Sequence, residues 1–274
     1  MTLEEKKHRE LRNQYNPDGS QLRKAQLRMT EMLCFIDKVC KDNGLKYWIS
    51  FGTLLGAIRH GGFIPWDDDT DICMPVDDLI VFKQIMLNHN PSNEFVLQSH
   101  ESDPNYNRSQ WLVLRDLKSE YIQDSRFHNE IKYRGLQVDI FPVEKNLSKG
   151  LKKRTDFIQT YFILYPTSRN KWYYRMMRPF RGFVWYSLNY LIIPLCRLFK
   201  ERKSNDSYYV SYAVTIPYTY IGTEDDIFPL IKVPFEFGEL NAPKEVDKYL
   251  SNLYGDWKKL PSTIHTHNVE VIFK

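Results

Sequence analysis

The chain has 274 residues, of which 42% are hydrophobic and 26% charged, and 38 Lys and Arg against 34 Asp and Glu leave a net charge of +4. That length buries a full core in one large or two small domains, and so slight a positive excess does not argue for a nucleic-acid partner. Cys34, Cys40, Cys73 and Cys196 show neither CxxC nor paired spacing, so no zinc site or disulfide framework is indicated and a reducing compartment is expected.

Met1 is followed by a polar, charged opening with no apolar core, which does not read as a signal peptide and places the protein on the cytoplasmic side. Residues 1–20 end in the turn cluster Asn16-Pro17-Asp18-Gly19-Ser20, so the first ordered element is expected near Gln21. From there Leu22, Ala25, Met29, Met32, Leu33, Ile36, Val39 and Cys40 recur at helical spacing until Asn43-Gly44 stops them. Cys34 and Cys40 on this helix read as small core or boundary residues.

Tyr47–Phe51 reads as a strand, and Gly52-Thr53 follows it as a turn opening a short helix whose free N–H groups can hold phosphate. Arg59 is placed to contact phosphate, while His60 is read as a cap before Gly61-Gly62. Then comes Trp66-Asp67-Asp68-Asp69-Thr70-Asp71, a cluster that no packing requirement explains. Ionised carboxylates so close repel one another and lose hydration on burial, so the cluster makes sense around bound cations. In an extended segment Asp67, Asp69 and Asp71 share one side and Asp68 and Thr70 the other. All-oxygen ligands suit Mg²⁺ or Mn²⁺, and Mg²⁺ takes one or two carboxylates while leaving other positions to water and substrate phosphate. Strand, Gly turn, helix and a strand bearing Asp-x-Asp is the plan of a nucleotidyltransferase-like fold.

Downstream, Asp77 is expected to cap a helix running to about Asn88, with extended segments at 94–98, 110–116, 120–123 and 136–141. Asp139 is a lone acid among apolar neighbours and reads as the third carboxylate, a metal ligand or a base toward an attacking hydroxyl; the alternative is a strand-end Asp capping a turn. Arg115 either clamps a phosphate bidentately or pairs with Asp116 or another surface acid. Trp66 and Trp111 either face the donor or pack in the core.

Between Lys149 and Lys203 the chain turns basic and aromatic. The apolar run from Phe183 to Cys196 falls short of the ~20 residues that a spanning helix needs. The composition suits an in-plane interfacial helix on anionic lipid; a buried helical pair with basic solvent faces is the alternative. Strand-like alternation returns over 208–217, and Asn241 is expected to cap a helix with the apolar stripe Val246, Tyr249, Leu250 and Leu253. His265 and His267 are expected in a polar tail or at the site.

The run Gly-Thr-Leu-Leu-Gly-Ala-x-Arg-His and the following Gly-Phe-Ile-Pro-Trp-Asp-Asp-Asp-x-Asp resemble the LicD family, which takes in the fukutin-related phosphotransferases. Val138-Asp139-Ile140-Phe141-Pro142, the strand ending in Arg115-Asp116, and Tyr249-Leu250-Ser251-Asn252-Leu253-Tyr254-Gly255-Asp256-Trp257 resemble further elements of that family. The resemblance implies transfer of a phosphoalcohol, foremost phosphocholine from CDP-choline, onto a sugar hydroxyl of a surface-glycan precursor such as teichoic acid, lipopolysaccharide or capsule. Ribitol- or glycerol-phosphate transfer, or a nucleotidyltransferase releasing pyrophosphate, are sister readings, and a nucleotide-binding scaffold is the non-enzymatic one.

The expected architecture is α/β (α+β), a mixed sheet with flanking helices and a helical basic-aromatic insertion. It divides into a polar segment 1–20, a catalytic core 21–148, a membrane-surface segment 149–207 and a closing part 208–274. Metal is expected on Asp67, Asp69, Asp71 and Asp139, with Asp69, Asp71 and Asp139 catalytic. Gly52, Thr53, Arg59, Arg115, Trp66 and Trp111 are expected around the substrate. The expected partners are a CDP-alcohol donor, a glycan or lipid-linked glycan acceptor and the inner face of the cell membrane.

Overall fold

The computed structural model describes residues 3–122, 126–145, 149–164, 171–198, 209–216, 220–261, 263–264 and 270–274. His265 and His267 lie outside the described residues, as do Gln123, Tyr208 and Pro217 at the ends of expected strands.

Order begins earlier than the sequence suggests, with helix α1 at Leu3–Tyr15. Among its described side chains the apolar ones are Leu11 and Tyr15, four residues apart and half-buried, too thin a stripe to stand out as a periodic signal. Tyr15 meets Trp66 edge-on at 5.5 Å, and the buried Asn16 amide donates to Gln26 Oε1 at 2.6 Å. Helix α2 (Gln21–Asp42) starts where Ser20 Oγ accepts from the Arg23 N–H and ends at Asn43. Its Met29, Met32, Leu33 and Ile36 are fully buried, Cys40 joins them, and Cys34 is on the exposed face.

Strand β1 (Trp48–Ile49) and helix α3 (Phe51–His60) follow, then β2 (Asp71–Pro75) and α4 (Val76–Asn88). Asp77 does not cap α4; it lies with Asp78 in the first turn, at the positive end of the helix dipole. Strands β3 (Phe95–Gln98), β4 (Leu112–Asp116) and β5 (Ser119–Tyr121) precede a short helix α5 (Arg126–Glu130) and the long strand β6 (Gln137–Lys145). The insertion is helical: α6 (Lys149–Ile158) runs into a π-helical stretch Gln159–Leu164, and α7 (Lys171–Ser187) passes through a second, Leu188–Ile192, into α8 (Ile193–Leu198). Strands β7 (Tyr209–Tyr212) and β8 (Tyr220–Thr223), helix α9 (Glu224–Ile227), the hairpin β9 (Ile231–Phe235) and β10 (Gly238–Ala242), helix α10 (Val246–Tyr254) and strand β11 (Val271–Phe273) complete the chain. Asn241 therefore pairs with Lys232 inside the hairpin and caps no helix.

The mixed sheet has the order β1-β2-β6-β4-β3, with β7 and β8 added beside the far end of β6. Only β2 and β6 run parallel within it; the other pairs are antiparallel. Both central strands are nearly all buried, the pattern of strands covered on two faces. Helices α2 and α4 pack on this sheet, placing Ile36 and Phe82 in one core with Ile72, Leu114 and Ile140. Trp185, Leu188, Ile193 and Val214 form a separate small cluster under the insertion. Among the described residues no helix is long and apolar enough to cross a membrane.

The hairpin that returns to α3 carries a buried ion pair. Arg23 and Glu236 meet through two hydrogen bonds of 2.9 and 2.6 Å with their side chains 4% and 9% exposed, and Glu236 also accepts from the Phe63 N–H. Burial alone would raise the Glu236 carboxyl, but the Arg23 hydrogen bonds, the Phe63 N–H and the Arg23 charge outweigh it and hold the group below its ordinary range. A depressed carboxylate stabilises above its unfolded pKa, and that contribution is lost as pH falls through the folded value. Glu236→Gln should accordingly cost about 3–5 kcal/mol at pH 7 by leaving Arg23 buried without its counter-charge. The gap to wild type in chemical denaturation should narrow below about pH 4; a gap that does not change with pH would refute this.

Candidate active site

The N-terminal ends of β2 and β6 set the geometry. In the parallel ladder Asp71 stands opposite Asp139, and the Asp139 N–H donates to Thr70 O at 2.8 Å, which locks the register. Side-chain alternation then sorts the acids as expected. Asp67, Asp69, Asp71 and Asp139 line one cavity of about 650 Å³. Asp68 instead accepts from the Tyr121 hydroxyl at 2.8 Å, and Thr70 is buried with its hydroxyl donating to Gln137 O.

The fold positions three of these acids, Asp71 by its main chain, Asp139 by its carboxylate and Asp67 by the room left beside it. The Asp71 N–H donates to Thr53 Oγ1 at 2.8 Å. Asp139 receives the Trp111 indole N–H on Oδ1 at 2.8 Å and the Gln137 amide on Oδ2 at 2.9 Å. Gly52 is needed for a steric reason: a Cβ there would lie 2.5 Å from Asp67 Oδ2, so any side chain would push that carboxylate aside.

The electrostatics are those of an over-full anionic site. Burial first, then repulsion from Asp69 and Asp68, raises Asp67; burial first, then Asp69, Asp139 and Asp67, raises Asp71. Asp139 is raised by burial against the opposing pull of Trp111, Arg115, Arg108 and Gln137. Among the described residues no three acidic, His or Cys side chains form a ready-made metal cage. Mg²⁺ does not require one, since one or two carboxylates suffice when water and phosphate fill the remaining positions. The donor set of hard oxygens and its unneutralised charge fit such an ion.

Two expected substrate ligands are placed elsewhere. Thr53 is 2% exposed with its hydroxyl committed to Asp71, so it positions an acid and does not reach phosphate. Arg115 is 6% exposed and donates to Gln98 Oε1 and Gly135 O, so it neither clamps a substrate phosphate nor pairs with Asp116, which is gripped by Arg28 at 2.7 Å. Its buried charge acts on Asp139 from within. His60 does not cap α3 either; Gly61, at φ +68°, closes the helix, while His60 accepts from Arg59 Nε and lies edge-on to Trp66.

Gly52, Arg59, Trp66 and Trp111 do line the cavity. Phe51 lines it too, at a left-handed φ of +45° that a Phe adopts only under strain, its ring stacked on Tyr212 at 5.6 Å and set against Phe141. Several lining residues were not anticipated. Tyr254, Asp256, Trp257 and Lys259 come from the far end of the chain, and Arg59 reaches them by donating to Trp257 O at 3.3 Å. Arg108 stacks its guanidinium 3.9 Å over the Trp111 ring. The Tyr-Gly-Asp-Trp run was visible in the sequence, but nothing local ties it to acids nearly 200 positions away.

An acidic cleft at the end of paired strands, walled by aromatic rings, defines a domain of the nucleotidyltransferase class. Residues 44–183 match the family described as LicD/FKTN/FKRP, nucleotidyltransferase domain, and the chain belongs to that LicD family. The chain is 46% identical over 57 residues to the lipopolysaccharide cholinephosphotransferase LicD of Haemophilus influenzae, covering 21% of this chain and 22% of that protein. It is 39% identical over 51 residues to the human ribitol 5-phosphate transferase FKRP, covering 19% of this chain and 10% of that protein. An uncharacterized protein of Rickettsia typhi is 44% identical over 63 residues, or 23% of this chain and 20% of its own. The matched stretches thus span about a quarter or less of these relatives.

Crowded acids make a prediction about stability. A carboxylate whose folded pKa is raised stabilises only while protonated, and the contribution is lost as pH rises through the folded value. With chelator present, Asp71→Asn should melt above wild type at pH 7, by on the order of 2 °C for each kcal/mol of repulsion removed. The advantage should shrink as pH falls toward the ordinary carboxylate range, and a variant less stable than wild type at pH 7 would contradict the account.

Proposed function

We propose that the chain transfers a phosphoalcohol from a CDP-linked donor to a sugar hydroxyl, with phosphocholine the favoured group. The observation that carries this reading is the convergence of five carboxylates with six aromatic rings and two cations on one cavity; the cations are Arg59 and Lys259, the latter paired with the fifth acid, Asp256, at 2.6 Å. A bare nucleotide-binding role would not need so many acids against a substrate that is itself anionic.

In this reading Asp69 and Asp71, with Asp67 and Asp139 beside them, hold a divalent Mg²⁺ or Mn²⁺ ion. Such an ion, when bound, offsets the repulsion between carboxylates and diphosphate and stabilises charge developing on the leaving phosphate. Arg59 and Lys259 bind diphosphate oxygens, and the half-buried N-terminal turn of α3 at Gly52, which lines the cavity, offers backbone donors. Asp139 accepts the proton of the attacking hydroxyl at one carboxylate oxygen. Trp111 and Gln137 hold that carboxylate in one orientation. The hydroxyl oxygen forms a bond to the phosphorus that carries the alcohol, the bond from that phosphorus to the bridging oxygen breaks, and CMP departs.

Choline is favoured because a quaternary ammonium offers no hydrogen-bond donor, so ring faces such as those of Trp66, Trp111 and Trp257 must recognise its charge, at about 0.5–2 kcal/mol each. The relative named as a ribitol 5-phosphate transferase supports a second reading, in which the transferred alcohol is ribitol.

Incubation with Mg²⁺ and a panel of CDP-choline, CDP-ribitol and CDP-glycerol should release CMP, fastest from CDP-choline. Pyrophosphate release from a nucleoside triphosphate would instead identify a nucleotidyltransferase. Asp69→Asn and Asp71→Asn should each reduce CMP release to background with the circular dichroism unchanged; wild-type rates in either would exclude the assignment. The two tryptophans should separate. Trp66→Leu should raise the KM for CDP-choline roughly 2- to 30-fold and that for an uncharged CDP-alcohol much less. Trp111→Leu should lower kcat for every donor, because it also removes the hydrogen bond to Asp139.

A further inference from the structure

Charge is unevenly spread along the chain. Residues 149–203 hold thirteen Lys and Arg against two acids, a net +11, while the remainder holds 25 against 32, a net −7. The same segment is where apolar surface is left uncovered. Twelve of the 23 exposed large apolar side chains among the described residues lie between Phe157 and Leu198.

That surface is ordered by the helix period. Trp172, Met176, Phe180 and Phe183 are between 42% and 70% exposed, and their spacing of three or four residues keeps them on one side of α7, while Tyr190 in the following stretch and Leu198 on α8 are 67% and 77% exposed. The π-helical stretch at Leu188–Ile192 lies between the two helices, and exposed apolar side chains continue through it and beyond, at Tyr190, Leu191, Leu195 and Leu198. The opposite side turns Trp185, Leu188 and Ile193 onto Val214. Trp185, although part of the aromatic run, is thus an anchor to the core, stacked on His100 at 3.9 Å. From α6 and its continuation, Phe157, Tyr161 and Phe162 extend the same surface, with Phe162 6.3 Å from Phe180 across the hairpin. Lys153 and Arg154 are exposed beside them.

We propose that α6, α7 and α8 form a docking surface that lies in the plane of an anionic lipid bilayer. Aromatic side chains enter to headgroup depth, and the basic residues meet the negative surface. A second copy of the chain is the poorer occupant, because a segment whose sequence carries net +11 would meet the same charge across a two-fold contact. The insertion is tied to the catalytic domain by polar grips. Ser109 donates to Gln159, Asn189 donates back to Ser109, and Arg197 binds both Gln110 and the buried Glu144. Gln110 precedes Trp111, which lines the cavity and holds Asp139, so the docked surface and the site share one short strand entry.

The test uses the full chain without nucleotide, so that it stands apart from the transfer reaction. Wild-type protein should co-sediment with vesicles of phosphatidylcholine containing phosphatidylglycerol and much less with phosphatidylcholine alone. Raising salt to 0.5 M should weaken binding only in part, since screening removes the charge attraction and leaves ring insertion. Phe180→Ser combined with Phe183→Ser should lower the partition coefficient roughly tenfold or more. Phe237→Ser, 82% exposed on the β9–β10 hairpin, should not. Equal partitioning to both vesicle types, or a double variant that binds like wild type, would overturn the proposal. So would a wild-type dimer in sedimentation velocity that the double variant dissolves without any vesicle binding, which would assign the face to a second copy. Vesicle binding by a protein that releases no CMP would sink the transferase reading and leave this one standing.

Discussion

Like charges do not gather unaided, and the structure is organised around forcing four carboxylates to one place. Burial raises the pKa of Asp67, Asp71 and Asp139, and mutual repulsion adds to it at Asp67 and Asp71, so the ionised acids work against the fold. What opposes them is backbone geometry. The parallel pairing of β2 and β6 puts Asp71 beside Asp139 and is locked by main-chain bonds that no side-chain repulsion can slip without breaking the sheet. Around that frame Thr53, Trp111 and Gln137 spend their polar groups on the acids, and buried Arg115 supplies a fixed positive charge. These neighbours have little freedom of their own, which fits a pre-organised site.

The last third of the chain closes the cavity and is held by a buried polar cluster. The Tyr249 hydroxyl on α10 meets Ser50 Oγ at 2.8 Å and the Trp48 indole N–H at 3.1 Å, joining the helix to the strand that opens α3. Arg59 then grips the loop beyond α10 by its carbonyls. One stretch, β1 to α3, therefore positions an acid through Gly52 and Thr53, supplies a cation, and anchors the wall that faces both.

The insertion follows a different logic. Its few buried apolar residues form a small core of their own, and its link to the sheet is polar, through Glu144, Gln110 and Ser109. Lys152, buried and donating to the carbonyls of Ala213 and Ile216, ties its first helix to the end of β7. Among its described residues most aromatic side chains face outward, so the segment gains little from folding in water alone, which supports the lipid docking proposed for it.

By itself the sequence determined the acids, their sidedness and their neighbourhood. The carboxylate cluster has no packing use, and period-two alternation sorts Asp67, Asp69 and Asp71 from Asp68 and Thr70 whatever the rest of the chain does. It also marked the helix α2, whose stripe is wide, and missed α1, whose sequence is mostly charged and polar. Only the tertiary structure decided what each polar group spends its hydrogen bonds on. Thr53 and Arg115 looked like phosphate ligands because their types suit phosphate, but burial commits them to Asp71 and to the interior, and burial is set by strands far away in sequence. Nor could local pattern bring Tyr254, Asp256, Trp257 and Lys259 to Arg59, since contacts across some 200 residues arise from how the sheet and α10 pack, which period and propensity do not encode.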